Sequence, residues 1–368
     1  MQIPFTDLTG PTKRVKAEYL EALDKFLDRG RFILTEEVKQ FEDHWAARVG
    51  TPYCAGVSSG ADALFLALQV FGIGPGDEVI TQGNAYNASV TAILRTGAVP
   101  RFADVDSDTL TLDPKRLGAL LNPKTKALLP VHLYGQPNNM EAIMQFAREH
   151  NLFVIEDCAQ AHEASYAGKK AGAFGDAGCF SFYPTKNLGA FGDAGAVTLS
   201  NREKYEELLA RRNLGQVEKN NHQFFGTNMR LDPIQAIALD LKLKYLPGET
   251  EARRAAAHYY DELIRKSGLP LRVIGKLTKA EHVYHLYPVE ILEKDRDEVA
   301  RQLQDQGIGT GLYYPSLVYE QPFYKGPVDP CPVAERFARN HLALPFFPDI
   351  TKQQQDYVIE ALKKILSA

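Results

Sequence analysis

From Tyr53 to about residue 150 the chain alternates short apolar runs with stretches of helical spacing, and this rhythm constrains the fold more than any other feature. YCAGVSSG precedes ADALFLALQVFG, DEVI precedes YNASVTAILRTG, VPRFADV precedes DPKRLGALL, and KALLPVHL precedes NNMEAIMQFAREH. Apolar runs this short, each followed by a helical pattern, read as strands buried on both faces. Repeated so often, they predict an α/β fold: a mostly parallel, doubly wound sheet with helices on both sides. Upstream, Val15, Tyr19, Leu20, Leu23, Phe26 and Leu27 have helical spacing that stops at Gly30, and Val38, Phe41 and Trp45 mark a second amphipathic helix from Thr35. Past Thr198 the pattern turns helical, interrupted by the polar loop GQVEKNNHQFFGTN. We expect a large domain over residues 1–244, including the N-terminal helical segment, and a smaller α+β domain over 245–368.

The charge balance narrows the partners. With 42 basic and 46 acidic residues, a net charge of -4 and no long single-sign run, the chain lacks a nucleic-acid footprint or a polybasic membrane anchor. Small molecules and a second subunit remain. The four cysteines, Cys54, Cys158, Cys179 and Cys331, lie far apart without a CxxC, as expected of buried free thiols in a reducing compartment rather than of a metal site or disulfides. MQIPFTDLTG has no signal-peptide pattern and no apolar run reaches membrane-span length, so we expect a cytoplasmic protein.

The chemistry concentrates in residues 152–195. One apolar run, Leu152 to Ile155, ends in acids, and a second, Cys179 to Phe182, leads through Tyr183 and Pro184 to Lys186 in a glycine-bounded turn. Two buried strands would deliver Asp157 and Lys186 at or just past their carboxyl ends, where open α/β sheets carry their sites. Such an acid and amine suit pyridoxal phosphate, whose aldehyde condenses with the amine while the carboxylate keeps the ring nitrogen protonated. Taken singly, a surface lysine and a helix-capping aspartate are the better explanations; together, on adjacent loops, they are not. Ser58-Ser59-Gly60-Ala61 opens a helix whose free N–H groups and positive dipole end would accept an anion; a plain N-cap is the alternative. Ser181 could add a hydroxyl to the same phosphate or be a satisfied strand serine. Gln160 could bond the ring's 3-hydroxyl or be idle on the surface; Tyr86 could stack on the ring or sit in the core. No G-x-x-x-x-G-K loop and no G-x-G-x-x-G after a strand is present.

With these residues in place, the chain resembles the DegT/DnrJ/EryC1/StrS family of nucleotide-sugar aminotransferases, from FTDL near the start to LPFFPD near the end. VSSGADAL, GDEVI, LLPVHLYGQP, VIEDCAQAHEA, SFYPTKNLGAFGDAGAV, GTNMRLDPIQAIAL and YHLYPVEI carry the likeness. The resemblance implies the aspartate aminotransferase fold. It makes Lys186 the Schiff-base lysine and Asp157 the partner of the ring nitrogen, and puts Gln160 at the 3-hydroxyl and Tyr86 on the ring. Ser59, Gly60, Ala61 and Ser181 fall at the phosphate, joined by Asn228 from the second subunit of a homodimer with shared active sites. Two departures stand out. Ala61 replaces the threonine of many relatives, and Tyr313-Tyr314-Pro315 stands where relatives often carry His-Tyr-Pro, which puts an imidazole near the sugar in doubt. Relatives that dehydrate sugars replace the lysine with histidine; Lys186 argues against that here.

The resemblance further implies ping-pong transfer from L-glutamate, through pyridoxamine phosphate, to a keto sugar. HLYGQP and SFYPTKNLG are most similar to members that aminate the 3-keto carbon of dTDP-linked 6-deoxyhexoses, en route to 3-amino-3,6-dideoxy sugars of surface polysaccharides or antibiotics. Tyr183, Lys219 and Tyr314 are candidates for sugar and diphosphate contacts. Amination of a 4-keto sugar or of a UDP-linked 3-keto uronic acid, a sugar dehydratase, and a catalytically silent binding protein are the alternatives.

Overall fold

The computed structural model describes residues 1–367. Two helices come first, α1 (Thr9–Asp28) and α2 (Glu36–Val49), as the apolar spacing predicts. The alternating region follows as β1 (Tyr53–Val57), α3 (Gly60–Val70), β2 (Glu78–Gln82), α4 (Asn87–Thr96), β3 (Val99–Ala103), the single-turn α5 (Leu117–Leu120), β4 (Thr125–Leu129), α6 (Met140–Glu149) and β5 (Phe153–Asp157). Two short strands, β6 (Ser165–Tyr166) and β7 (Lys169–Lys170), precede β8 (Ala177–Ser181) and β9 (Gly195–Leu199).

The large sheet has seven strands in the order β1-β9-β8-β5-β4-β2-β3. Six run parallel to one another; β9 is antiparallel to both neighbours, Val57 pairing with Gly195 and Ser181 with Gly195 across its two edges. The expectation of a mostly parallel sheet holds with this one reversal. Residues 182–194 return from β8 into β9 without a helix, which antiparallel neighbours allow, whereas a parallel neighbour requires a crossover connection. One face packs on α3 and α4, with Leu64, Leu66, Leu68 and Ile93 buried. On the opposite side Phe41, Trp45, Phe180 and Phe182 form another core. Both faces are therefore covered, which is why the strands read as apolar runs rather than alternating ones.

Beyond the sheet come α7 (Arg202–Arg211), β10 (Gln216–Glu218), β11 (Asn221–His222), α8 (Pro233–Leu243) and α9 (Leu246–Ser267). The stretch read as a polar loop thus contains a two-stranded hairpin, its strands too short and too polar to leave a periodic signal. The remainder comprises β12 (Leu271–Val273), β13 (Ala280–Glu281), β14 (Tyr287–Ile291), α10 (Arg296–Asp305), α11 (Pro332–Asn340), β15 (His341–Leu344) and α12 (Lys352–Leu366). β12, β14 and β15 make a three-stranded antiparallel sheet. Its core draws Tyr260 from α9, Val299 and Leu303 from α10 and Leu362 from α12, and also takes in Ile3 from the start of the chain. All four cysteines are buried and free. No helix among the described residues is long and apolar enough to cross a membrane.

Candidate active site

Strand β5 ends in two acids whose side chains, one residue apart, leave opposite faces of the sheet. Glu156 is fully buried and accepts the amides of Gly172, Phe174 and Gly175 at 2.9, 2.8 and 2.8 Å, with His132 Nε2 3.0 Å away. It pins the turn that feeds β8. Asp157 is 3% exposed and lines a cavity of about 460 Å³ at the carboxyl ends of the central strands. Ser89, in the first turn of α4, donates its hydroxyl to Asp157 Oδ2 at 2.7 Å, and the Ala159 amide donates to Oδ1 at 3.0 Å. These donors satisfy oxygens that would otherwise be buried without partners.

Lys186 lines the same cavity. Its loop folds back tightly: the Lys186 amide donates to Tyr183 O and the Ala190 amide to Phe182 O, each at 2.8 Å. Gly189 is required here, since a Cβ would lie 2.3 Å from Pro184 O. Part of the Lys186 side chain faces the cavity, yet protein surrounds it closely, and this burial pushes its amine down to about 8 against the opposing pull of Asp157. About a tenth of such an amine is neutral near pH 7, far more than of a free lysine. Asn187 anchors the next position, donating to Val283 O at 3.0 Å and facing His285 Nδ1 at 3.1 Å.

The helix start lies opposite. Ser59 is the N-cap of α3, its Oγ accepting the Asp62 amide at 3.1 Å, and Ser59, Gly60 and Ala61 all line the cavity. The capping reading and the anion-site reading are therefore compatible, because the same end of α3 that Ser59 caps faces the cavity. Packing is too close there for side chains. A Cβ on Gly60 would lie 2.5 Å from Ser181 Cβ, and one on Gly195 would lie 2.4 Å from the carbonyl carbon of Ser59. Ser181, at the end of β8, completes this wall. An amine of lowered pKa, a buried carboxylate with fixed donors, and a helix N-terminus closed in by glycines make a donor set that fits pyridoxal phosphate: aldehyde, ring nitrogen and phosphate each find a complementary group.

Four tyrosines surround the remaining space. Tyr86 is 49% exposed, so it is no core residue, and it stacks on Tyr314 with centroids 4.7 Å apart and planes inclined by 23°. Gln160 is buried, not idle on the surface. Its Oε1 accepts the Tyr134 amide at 2.7 Å and its Nε2 donates to the Tyr314 hydroxyl at 3.2 Å. Tyr183, half exposed, and Tyr313 also line the cavity. Two expected site residues are not brought here by their own chain. Lys219 sits at the tip of the β10–β11 hairpin and Asn228 follows it; both are exposed and neither lines the cavity. Sequence reasoning missed Ser89 and His285. Ser89 is 68 residues from Asp157 and carries no local signal. His285 supplies an imidazole to the cavity although the His-Tyr-Pro pattern is absent, held neutral because burial and the nearby Lys186 push its pKa well below the usual value.

The fold and this cavity define a pyridoxal phosphate-dependent enzyme of the aspartate aminotransferase fold. The model of the DegT/DnrJ/EryC1/StrS aminotransferase family matches residues 13–363, and the chain belongs to that family. It is 42% identical, over 99% of its length and 96% of the relative's, to the dTDP-3-amino-3,4,6-trideoxy-alpha-D-glucose transaminase of Streptomyces venezuelae. Identity is 40% to the dTDP-3-amino-3,6-dideoxy-alpha-D-galactopyranose transaminase of Aneurinibacillus thermoaerophilus, covering 98% and 99% of the two chains. Among solved structures, S. venezuelae DesV in complex with a ketimine intermediate superposes with a TM-score of 0.95 at 40% identity, covering 100% and 99%.

Proposed function

We propose that this aminotransferase moves nitrogen from L-glutamate to the 3-keto carbon of a dTDP-linked 3-keto-6-deoxyhexose, yielding a 3-amino-3,6-dideoxy sugar nucleotide. The observation that carries the reading is the lining of one cavity by Lys186, Asp157 and the N-terminus of α3. Likeness to two transaminases named for dTDP-3-amino sugars supports the carbon and the nucleotide. Pyridoxal phosphate, when bound, supplies the aldehyde that takes up nitrogen and the ring that accepts carbanion electrons. The Nζ of Lys186 takes the proton from the α-carbon of glutamate and, in the second half-reaction, delivers one to C3 of the sugar. Asp157, oriented by Ser89 and the Ala159 amide, holds the ring nitrogen protonated. Ser59, Gly60, Ala61 and Ser181 hold the phosphate, Gln160 meets the 3-hydroxyl and Tyr86 covers the ring. Tyr183 and Tyr314 contact the sugar.

We assign Asn228 and Lys219 to the cavity of a second copy, Asn228 at the phosphate and Lys219 at the sugar diphosphate, so that a homodimer shares two sites. Their exposure away from their own cavity supports this, as does the apolar surface beside them, where Phe225 is 78% and Val217 42% exposed. A smaller domain after residue 244 is supported by the core that α9, α10 and α12 share with Val289 and Leu342, while Phe337 of α11 and Leu246 of α9 pack with the cores of the large sheet. A cytoplasmic enzyme serving a surface polysaccharide such as an O-antigen, or an antibiotic, completes the assignment.

The test is product analysis with glutamate and three acceptors: 3-keto and 4-keto dTDP-6-deoxyhexoses and a UDP-linked 3-keto uronic acid. Turnover confined to the first is expected; preference for either of the others overturns the substrate. Lys186→Ala should lose turnover, and retention of it would remove Lys186 from the mechanism.

A further inference from the structure

The loop that presents Lys186 is held from behind. On its far side lies a second cavity of about 210 Å³, walled by residues 186–191, by the N-terminal segment and by α8 and α9. Lys242, at the end of α8, reaches into this space. Its Nζ donates to Gly189 O at 2.7 Å and lies 4.1 Å from the centre of the Phe191 ring. Gln235, two turns earlier on the same helix face, accepts the Phe191 amide on Oε1 at 2.9 Å. One helix thus grips both ends of residues 189–191, three positions beyond the reactive amine. Gly189 is the residue whose close approach to Pro184 folds the loop back on itself, so a bond to its carbonyl acts at the pivot of the turn.

We propose that Lys242 is a positioning residue for Lys186: its ammonium fixes the Gly189 carbonyl and keeps the lysine loop closed, so that the reactive amine stays shielded from water and in reach of the reacting carbons. The inference rests on Lys186 being the catalytic amine. A lysine spent on solubility would extend into water; this one is half-buried, and burial lowers its own pKa to about 8 against the pull of Glu249. Glu249 is itself paired with Arg14 at 2.7 Å. The remaining charged groups of the rear cavity are Asp7 on the N-terminal segment and Arg253 on α9, whose Nη1 donates to Tyr284 O at 3.2 Å. The rear cation is therefore free to serve the loop carbonyl. On the front side, Asp157, His162 and His285 are the titratable groups acting on Lys186 or shifted by it.

The experiment uses cofactor-free protein and measures the pH dependence of Lys186 acylation by trace acetic anhydride, read by mass spectrometry. The parent chain should show a midpoint near 8, and Lys242→Met should move it toward the ordinary lysine value of 10.5 as water reaches the loosened loop. Lys242→Arg, which can still donate to Gly189 O, should keep the midpoint low. In the loaded enzyme Lys242→Met should lower kcat about tenfold and leave the KM for keto sugar within about twofold. An unchanged midpoint in a Lys242→Met protein of parental thermal stability overturns the proposal. Should Lys242→Met not fold, Lys242→Gln, too short to span to the carbonyl, carries the same expectation and the same refutation. The labelling arm needs neither substrate nor cofactor, so its failure is separable from failure of the functional assignment.

Discussion

Ser89 donates its hydroxyl to Asp157 Oδ2 at 2.7 Å, across 68 residues of chain and between two buried side chains. The bond fixes the direction in which the carboxylate faces the cavity, and with it the approach to a ring nitrogen in the role proposed for Asp157. Ser89→Ala leaves one oxygen of a buried carboxylate short of a donor, which costs about 1–2 kcal/mol. The loss should be larger in cofactor-free protein, where no ring N–H replaces the hydroxyl; urea melts of loaded and cofactor-free forms measure the difference.

Gly60→Ala should weaken pyridoxal phosphate binding about tenfold or more, because the new methyl would lie 2.5 Å from Ser181 Cβ and 3.0 Å from its Cα. The helix N-terminus and the end of β8 must separate to admit it, and both line the cavity. Gly118→Ala, with no atom within 4 Å of its Cβ, is the control. Absorbance titration of cofactor-free protein gives the two affinities.

His162 lies fully buried among Trp45, Phe180 and Phe182, and neither ring nitrogen has a hydrogen-bond partner. Burial, then the Lys186 charge, push its pKa down to about 3. The unfolded chain therefore binds a proton that the folded chain refuses between about 6.5 and 3, and stability falls as pH drops through that window. His162→Leu should flatten the acid limb of the stability profile and cost little at pH 8. Thermal melts at pH 8, 6 and 5 test it; an unaltered acid limb counts against the assignment.

Lys186 carries a related cost of the same sign. Its amine titrates near 8 in the folded chain against 10.5 ordinarily, so between those values the unfolded chain holds more protons and stability rises with pH. Lys186→Met should stabilise cofactor-free protein at pH 7 by up to about 3 kcal/mol, a gap that closes above pH 10.5. Urea midpoints at pH 7, 9 and 10 should converge; a constant gap would mean that the amine is not desolvated.

Much of the architecture was legible because it is written locally. Strands buried on both faces have to be apolar runs, helices have to repeat near 3.6, and residues at strand ends lie where open α/β sheets carry their sites. That logic sets Asp157, Lys186 and the start of α3 at strand ends, and the structure brings them to one cavity. The polar hairpin at residues 216–222 escaped it, because two or three exposed residues per strand establish no period.

By itself, then, the order of residues determined the layered fold and set Asp157 and Lys186 at or just past strand ends, since both follow from short-range pattern; that the two line one cavity came from the tertiary structure. Only tertiary structure decided which partners hold that pair in place: Ser89 against Asp157, Asn187 against His285, Lys242 against Gly189. It also decided that Lys219 and Asn228 stand away from their own cavity. Each of these contacts joins segments more than 50 residues apart, and a bond between distant segments leaves no trace in the spacing of either one.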